Sequence, residues 1–205
     1  MLVPAAFGQD KPFSHKFHLA MKLECVGCHV AAPESKAATD NLLPAQTACA
    51  RCHDRAMPVG EPRARIVTRF NHQRHVGLGN VGPVIAAALR AKTYHHSSTG
   101  VPPDPALEAA LASASACAAC HRGIEQSEHV DGTNFPAMPD CLVCHPKIDA
   151  PFSCEKCHDA GSHLKPASHA VGDFMDQHST GRAGLNKLSC VVCHGKGFRC
   201  MGCHG

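Results

Sequence analysis

Seven times in 205 residues the chain reads Cys-x-x-Cys-His, and no cysteine lies outside these motifs. The first three sets are Cys25, Cys28 and His29; Cys49, Cys52 and His53; and Cys117, Cys120 and His121. Then come Cys141, Cys144 and His145; Cys154, Cys157 and His158; Cys190, Cys193 and His194; and Cys200, Cys203 and His204. Histidine fills 17 of 205 positions, so seven such followers by chance have a probability of roughly 10⁻⁸. Cysteines at i and i+3 share one side of a helical turn, where each can form a thioether to a porphyrin vinyl group. The imidazole at i+4 then sits beneath the ring, aimed at iron. A disulfide framework gives no reason for the following histidine. Zinc ribbons use Cys-x-x-Cys in twos, and seven is an odd number of half-sites. A thioredoxin-like site has one such motif on a βαβ scaffold, which is absent here. The pattern predicts seven covalently bound c-type haems, each holding iron.

Composition then falls into place. Aromatic residues make up 4% of the chain, and tryptophan is absent. Eight Phe and one Tyr build only a thin core for this length, and chains with poor cores are held by disulfides, metals or cofactors. With about 29 residues of chain for each haem, porphyrin becomes the apolar interior whose burial offsets the entropy of ordering. The predicted fold is mostly coil with short α-helices wrapped around a stack of haems, and almost no β-sheet. Propionates add fourteen negative charges to a formal +3, leaving about −4 when every iron is ferric. The basic pI of 8.2 is therefore no argument for nucleic acid.

Ten histidines remain after the seven proximal ones, enough to give every iron a second imidazole. Iron between two imidazoles is six-coordinate and low-spin, and without an axial methionine its potential is low. Two segments repeat at an offset of 57: Phe13-Ser14-His15-Lys16-Phe17-His18 and Phe70-Asn71-His72-Gln73-Arg74-His75. Histidines three apart share a helix face but diverge enough to reach different haems, and each Phe is expected to pack on a porphyrin face. A third cluster, His163, His169 and His178, precedes the last two motifs. The expected distal ligands are His15, His18, His72, His75, His129, His163, His169 and His178. His95 and His96 lie in a polar stretch that reads as a solvated loop. Met57 and Met138 are read as gap-fillers.

Spacing sets which haems are neighbours. Six residue steps separate His194 from Cys200, at most about 20 Å of extended chain, and nine separate His145 from Cys154, at most about 30 Å. Twenty residue steps join the first motif to the second and the third to the fourth. The long interval from His53 to Cys117 holds the second Phe-x-His-x-x-His, an expected helix near 83–92, a proline-rich turn, and an alanine-rich helix expected from Ala106 to about Ala119, running into the third motif. This divides the chain into a two-haem part, 9–62, and a five-haem part, 63–205, packed as one continuous haem unit. Residues 1–8 end in Ala6-Phe7-Gly8, a small-x-small triplet read as a signal-peptide remnant. No apolar run approaches a membrane span; the best, Val81 to Ala91, is broken by Gly82, Pro83 and Arg90.

The Phe-x-His-x-x-His lead into Cys-x-x-Cys-His resembles the multihaem class III cytochromes, the cytochrome c3/c7 group. The resemblance covers the motifs well and residues 77–116 poorly. It implies that His15 ligates the haem of His29, that His18 crosses to another haem, and that His72 serves the haem of His121. It also implies haem attachment on the outer side of the cytoplasmic membrane, in the periplasm or outside the cell. The expectation is electron transfer without enzymatic chemistry. Partners would be a quinol-oxidising membrane complex on one side and a cytochrome or terminal reductase on the other, with the chain a soluble carrier or a subunit of a respiratory or photosynthetic complex. One rival is a multihaem reductase of nitrogen or sulfur oxyanions, which needs an iron with an open face. Another is the protomer of a cytochrome filament.

Overall fold

The computed structural model describes residues 13–60, 67–94, 105–145 and 154–160, with residues 162, 164, 167–170, 172–174 and 176 beyond them. The expected signal remnant and the 62/63 boundary lie outside the described residues. So do Cys190, Cys193 and His194 of the sixth motif, Cys200, Cys203 and His204 of the seventh, and His95, His96, His163 and His178. Among those described there are seven short α-helices and no strand: α1 His15–Ala20, α2 Cys25–Cys28, α3 Gln46–Cys49, α4 His72–Val76, α5 Gly82–Arg90, α6 Pro105–Ser113 and α7 Met138–Cys144. Single 3₁₀ turns at Ala32–Glu34, Ile124–Gln126, Gly132–Asn134, Cys154–Lys156 and Ala167–Ala170 do much of the remaining work. Coil with short helices is the architecture expected of a chain that winds over prosthetic groups.

Each of the five described motifs closes one helical turn. The backbone N–H of the motif histidine reaches the carbonyl of the first cysteine at 2.8 Å for His29, His121 and His145, 3.0 Å for His53 and 2.9 Å for His158. The turns stop there; His29 and His145 leave the helical region with nearly the same angles, φ −92, ψ 55 and φ −110, ψ 57. The two lead helices begin alike as well. Ser14 Oγ accepts from the Phe17 N–H and Asn71 Oδ1 from the Arg74 N–H, side-chain N-caps that satisfy one otherwise unpaired donor each.

The one cluster of buried apolar side chains among the described residues is small: Ile85, Ala86, Tyr94 and Leu111, with Val81, Leu89, Leu107 and Val143 against it. It joins α5 to α6 and presses the pair on α7. Gly82 lets the two helices approach, since a Cβ there would collide with the Leu111 carbonyl and crowd Ala119. A polar bridge ties the pair to the haem motifs. The Tyr94 hydroxyl donates to Asp140 Oδ1 at 2.8 Å, the Arg122 guanidinium pairs with the same oxygen, and Asp140 Oδ2 accepts from the Ala137 N–H at 2.8 Å. Buried Asp140 is thus fully partnered, as a buried carboxylate has to be. Leu111→Ala should cost about 2–5 kcal/mol, read as a lowered urea midpoint, without altering the spectrum of the haems near His29 and His53.

The helix expected over 83–92 is present as α5. The alanine-rich helix is shorter than expected: it ends at Ser113 rather than near Ala119. Ser113 Oγ bonds back to the Ala109 and Ala110 carbonyls, Asn80 Nδ2 donates to the Ala114 carbonyl at 2.7 Å, and Ser115 Oγ accepts from the Ala118 N–H. These competing bonds turn the chain, so the third motif starts a new turn of its own.

Candidate haem-binding site

Three pairs of imidazoles face one another at the same separation. Ring centres lie 6.3 Å apart for His15 and His29, for His18 and His53, and for His75 and His145, with interplanar angles of 8°, 44° and 46°. At that distance the rings are not in contact. A metal takes an imidazole nitrogen at about 2.0–2.1 Å, and that nitrogen lies about 1.1 Å from its own ring centre, so two imidazoles facing one ion stand about 6.2–6.4 Å apart. The residues present therefore fit iron held between two histidines. In each pair one member follows a Cys-x-x-Cys turn and the other belongs to a Phe-x-His-x-x-His lead.

The far side of several rings is already committed. Nδ1 lies 2.8 Å from the Ser14 carbonyl for His18, 2.7 Å from the Leu42 carbonyl for His29, 2.7 Å from the Asn71 carbonyl for His75 and 3.1 Å from the Asn134 carbonyl for His121. A carbonyl oxygen only accepts, so the proton is on Nδ1, and Nε2 keeps its lone pair for a metal. Such outer bonds orient ligand histidines and raise their basicity.

The lead phenylalanines hold the distal rings. Phe13 meets His15 edge-on at 4.9 Å and stacks on His18 at 4.4 Å; Phe70 meets His72 at 4.7 Å and stacks on His75 at 4.3 Å. Each packs on both imidazoles of its lead, because helical spacing brings the two histidines back toward the preceding residue; the porphyrin face expected for each Phe is a further contact. His169 stacks on Phe174 at 4.6 Å in the same manner. His129 is exposed on the loop between Gln126 and Gly132.

The attachment thiols divide by exposure. Cys25, Cys28, Cys49, Cys117, Cys120 and Cys154 are half-buried, whereas Cys52, Cys141, Cys144 and Cys157 are exposed. Free cysteine in a protein interior behaves as a small apolar side chain and is among the most buried residue types. The interior expected here is porphyrin, and an exposed thiol such as that of Cys52 stays open to the edge of one. Cys193 and Cys203, with the first cysteines of their motifs, are outside the described residues, so their attachment role rests on the sequence pattern.

Burial pushes the His15 imidazole down to about 4, helped by the neighbouring rings of His29, His18 and His121. A neutral His15 is the metal-binding form. Its folded pKa lies below the unfolded value of about 6.5, so the unfolded chain binds the proton first. The stability His15 contributes is whole above about pH 6.5 and falls as pH drops toward 4.

All ten described cysteines are unbridged, and among the described residues no group of three or more His, Cys, Asp or Glu side chains is placed to hold a bare metal ion. A porphyrin supplies four ligands itself, so paired imidazoles suffice. No helix of the described residues is long and apolar enough to cross a membrane. Residues 11–65 match the family model described as cytochrome c7 and related cytochrome c. Neither the curated proteins nor the solved structures yielded a match.

Proposed function

We propose that this multihaem c-type cytochrome, which resembles the cytochrome c7 group over residues 11–65, carries seven haems and passes electrons without substrate chemistry. Haem iron held between two imidazoles gains and loses single electrons at low potential and offers no open position. The observation that carries the reading is the common 6.3 Å spacing of the three facing histidine pairs.

In this scheme the fourteen cysteines anchor the rings, Cys52 with Cys49, Cys193 with Cys190 and Cys203 with Cys200 among them. His15 and His29, His18 and His53, and His75 and His145 are axial pairs, and His72 serves with His121. His129, His163, His169 and His178 are the remaining candidates for the irons of His158, His194 and His204. Bonds from Nδ1 to backbone carbonyls hold the ligand rings in one tautomer, and the lead phenylalanines restrain their rotation. Both restraints limit rearrangement when charge changes, which favours a carrier.

The chain works in the periplasm or outside the cell, between a quinol-oxidising membrane complex and another cytochrome or a terminal reductase. Intact mass of the purified protein should show seven haem additions, and its resting EPR spectrum should be low-spin throughout. A high-spin signal at full haem occupancy would favour a reductase, and a mass with fewer haems would remove the heptahaem reading.

A further inference from the structure

We infer that residues 13–145 are two copies of one two-haem unit, joined about a pseudo-two-fold axis at which Cys25 and Cys117 meet. The haems then run in space in the order His53, His29, His121, His145, not in chain order. The inference deepens the electron-transfer reading and rests on it for the presence of haem.

The copies are visible first as a constant offset. Nine of the 29 residues from Cys25 to His53 recur 92 positions later. Six are motif residues; the others are Ser35 and Ser127, Pro44 and Pro136, and Ala45 and Ala137. Backbone structure follows the same offset. The 3₁₀ turn Ala32–Glu34 recurs as Ile124–Gln126, and α3 and α7 begin at Gln46 and Met138. The residues ahead of those helices share one extended conformation, φ −72, ψ 152 at Ala45 and φ −81, ψ 153 at Ala137. His29 and His121 each bond a carbonyl thirteen residues on, those of Leu42 and Asn134.

The lead helices repeat with equal fidelity. His18 faces His53 and His75 faces His145 at one distance, with angles differing by only two degrees. His72 is therefore the counterpart of His15, and His121 that of His29. What differs is the connection from lead to first motif. It runs from 19 to 24 in one copy and from 76 to 116 in the other, where it carries α5 and α6. That insertion hides the repeat from a simple reading of the sequence.

Contacts between the copies are reciprocal, as a two-fold relation demands. The Lys16 N–H of the first lead donates to the Ser127 carbonyl of the second unit at 3.1 Å. The Gln73 N–H of the second lead, at the matching position, donates to the Ser35 carbonyl of the first unit at 2.9 Å. A residue that lies beside its own counterpart marks the axis, and Cys117 is close enough to Cys25 for the neighbouring thiol to oppose its ionisation. His15 also lies close enough to His121 to feel its charge. The attachment points of the first and third haems are thus adjacent, while those of the second and fourth lie outward. Cys141 is near both Cys120 and Cys157, and the Thr68 N–H donates to the Cys157 carbonyl at 3.0 Å, so the row continues to the haem of His158.

The test is NMR of the fully reduced holoprotein, whose low-spin ferrous haems are diamagnetic. Cross-relaxation is expected between the thioether protons at Cys25 and those at Cys117. Its absence, with cross-peaks from the Cys25 thioether reaching only the haem of His53, would overturn the arrangement. His72→Met is the second arm: it should shift the spectrum of the haem of His121, and a shift at the haem of His158 instead would break the correspondence of the two leads. A haem count below seven would defeat the heptahaem reading but leave the thioether contact to decide this one.

Discussion

The His15→Ala holoprotein is expected to contain one five-coordinate, high-spin iron, with the other irons unchanged. The imidazole of His15 lies nearly parallel to that of His29 across 6.3 Å, and nothing else in its own lead points there, since His18 faces His53. Removing it takes away one axial ligand and leaves the thioethers and His29 in place. One haem in the optical and EPR spectra should turn high-spin, its potential should rise, and it should bind carbon monoxide when reduced. Added imidazole should restore the low-spin form, an outcome that a loosened fold would not give. His18→Ala and His75→Ala should act in the same way on the haems of His53 and His145. A His15→Ala protein that stays wholly low-spin would show that His15 is not a ligand.

The helical turns of the motifs and the leads were legible because both are local. Two thioethers and an imidazole on one helical turn need Cys-x-x-Cys-His without variation, and a Phe that restrains two histidines needs a fixed spacing to each. The coil-rich fold was legible for a related reason: too few large apolar residues exist to build anything else. Nonlocal features were not. The end of α6 at Ser113 depends on Asn80, 34 residues from the carbonyl it binds. The partner of His18 is 35 residues away and that of His75 is 70 away, and no periodicity records such a pairing. The equal steps of twenty residues within the first two motifs and within the third and fourth were the trace of a duplicated unit. The longer connection through α5 and α6 broke its register. That each Phe also packs on both histidines of its own lead was not read from the sequence.

Removing the haem at the proposed axis tests whether porphyrin replaces a protein core. In the double variant Cys25→Ala with Cys28→Ala, mass should fall by one haem, and thermal unfolding should shift down by more than about 10 °C. Truncating a large buried side chain costs up to about 5 kcal/mol, and 1 kcal/mol moves the midpoint of a chain this size by about 2–4 °C. A porphyrin offers more apolar surface than any side chain, and the described residues have little to put in its place: only Leu111 and Ile85 are large apolar side chains exposed by 2% or less. Phe13 and Phe17 remain 44% and 65% exposed, so the first unit has no side-chain cluster to fall back on. The damage should cross to the haem of His121, whose attachment residue Cys117 lies close to Cys25. The matching double change at Cys154 and Cys157 should spare it. A variant that melts within about 3 °C of the parent, less than about 1.5 kcal/mol, would mean that protein contacts alone hold the first unit. In that case haem would be cargo on a scaffold rather than its interior.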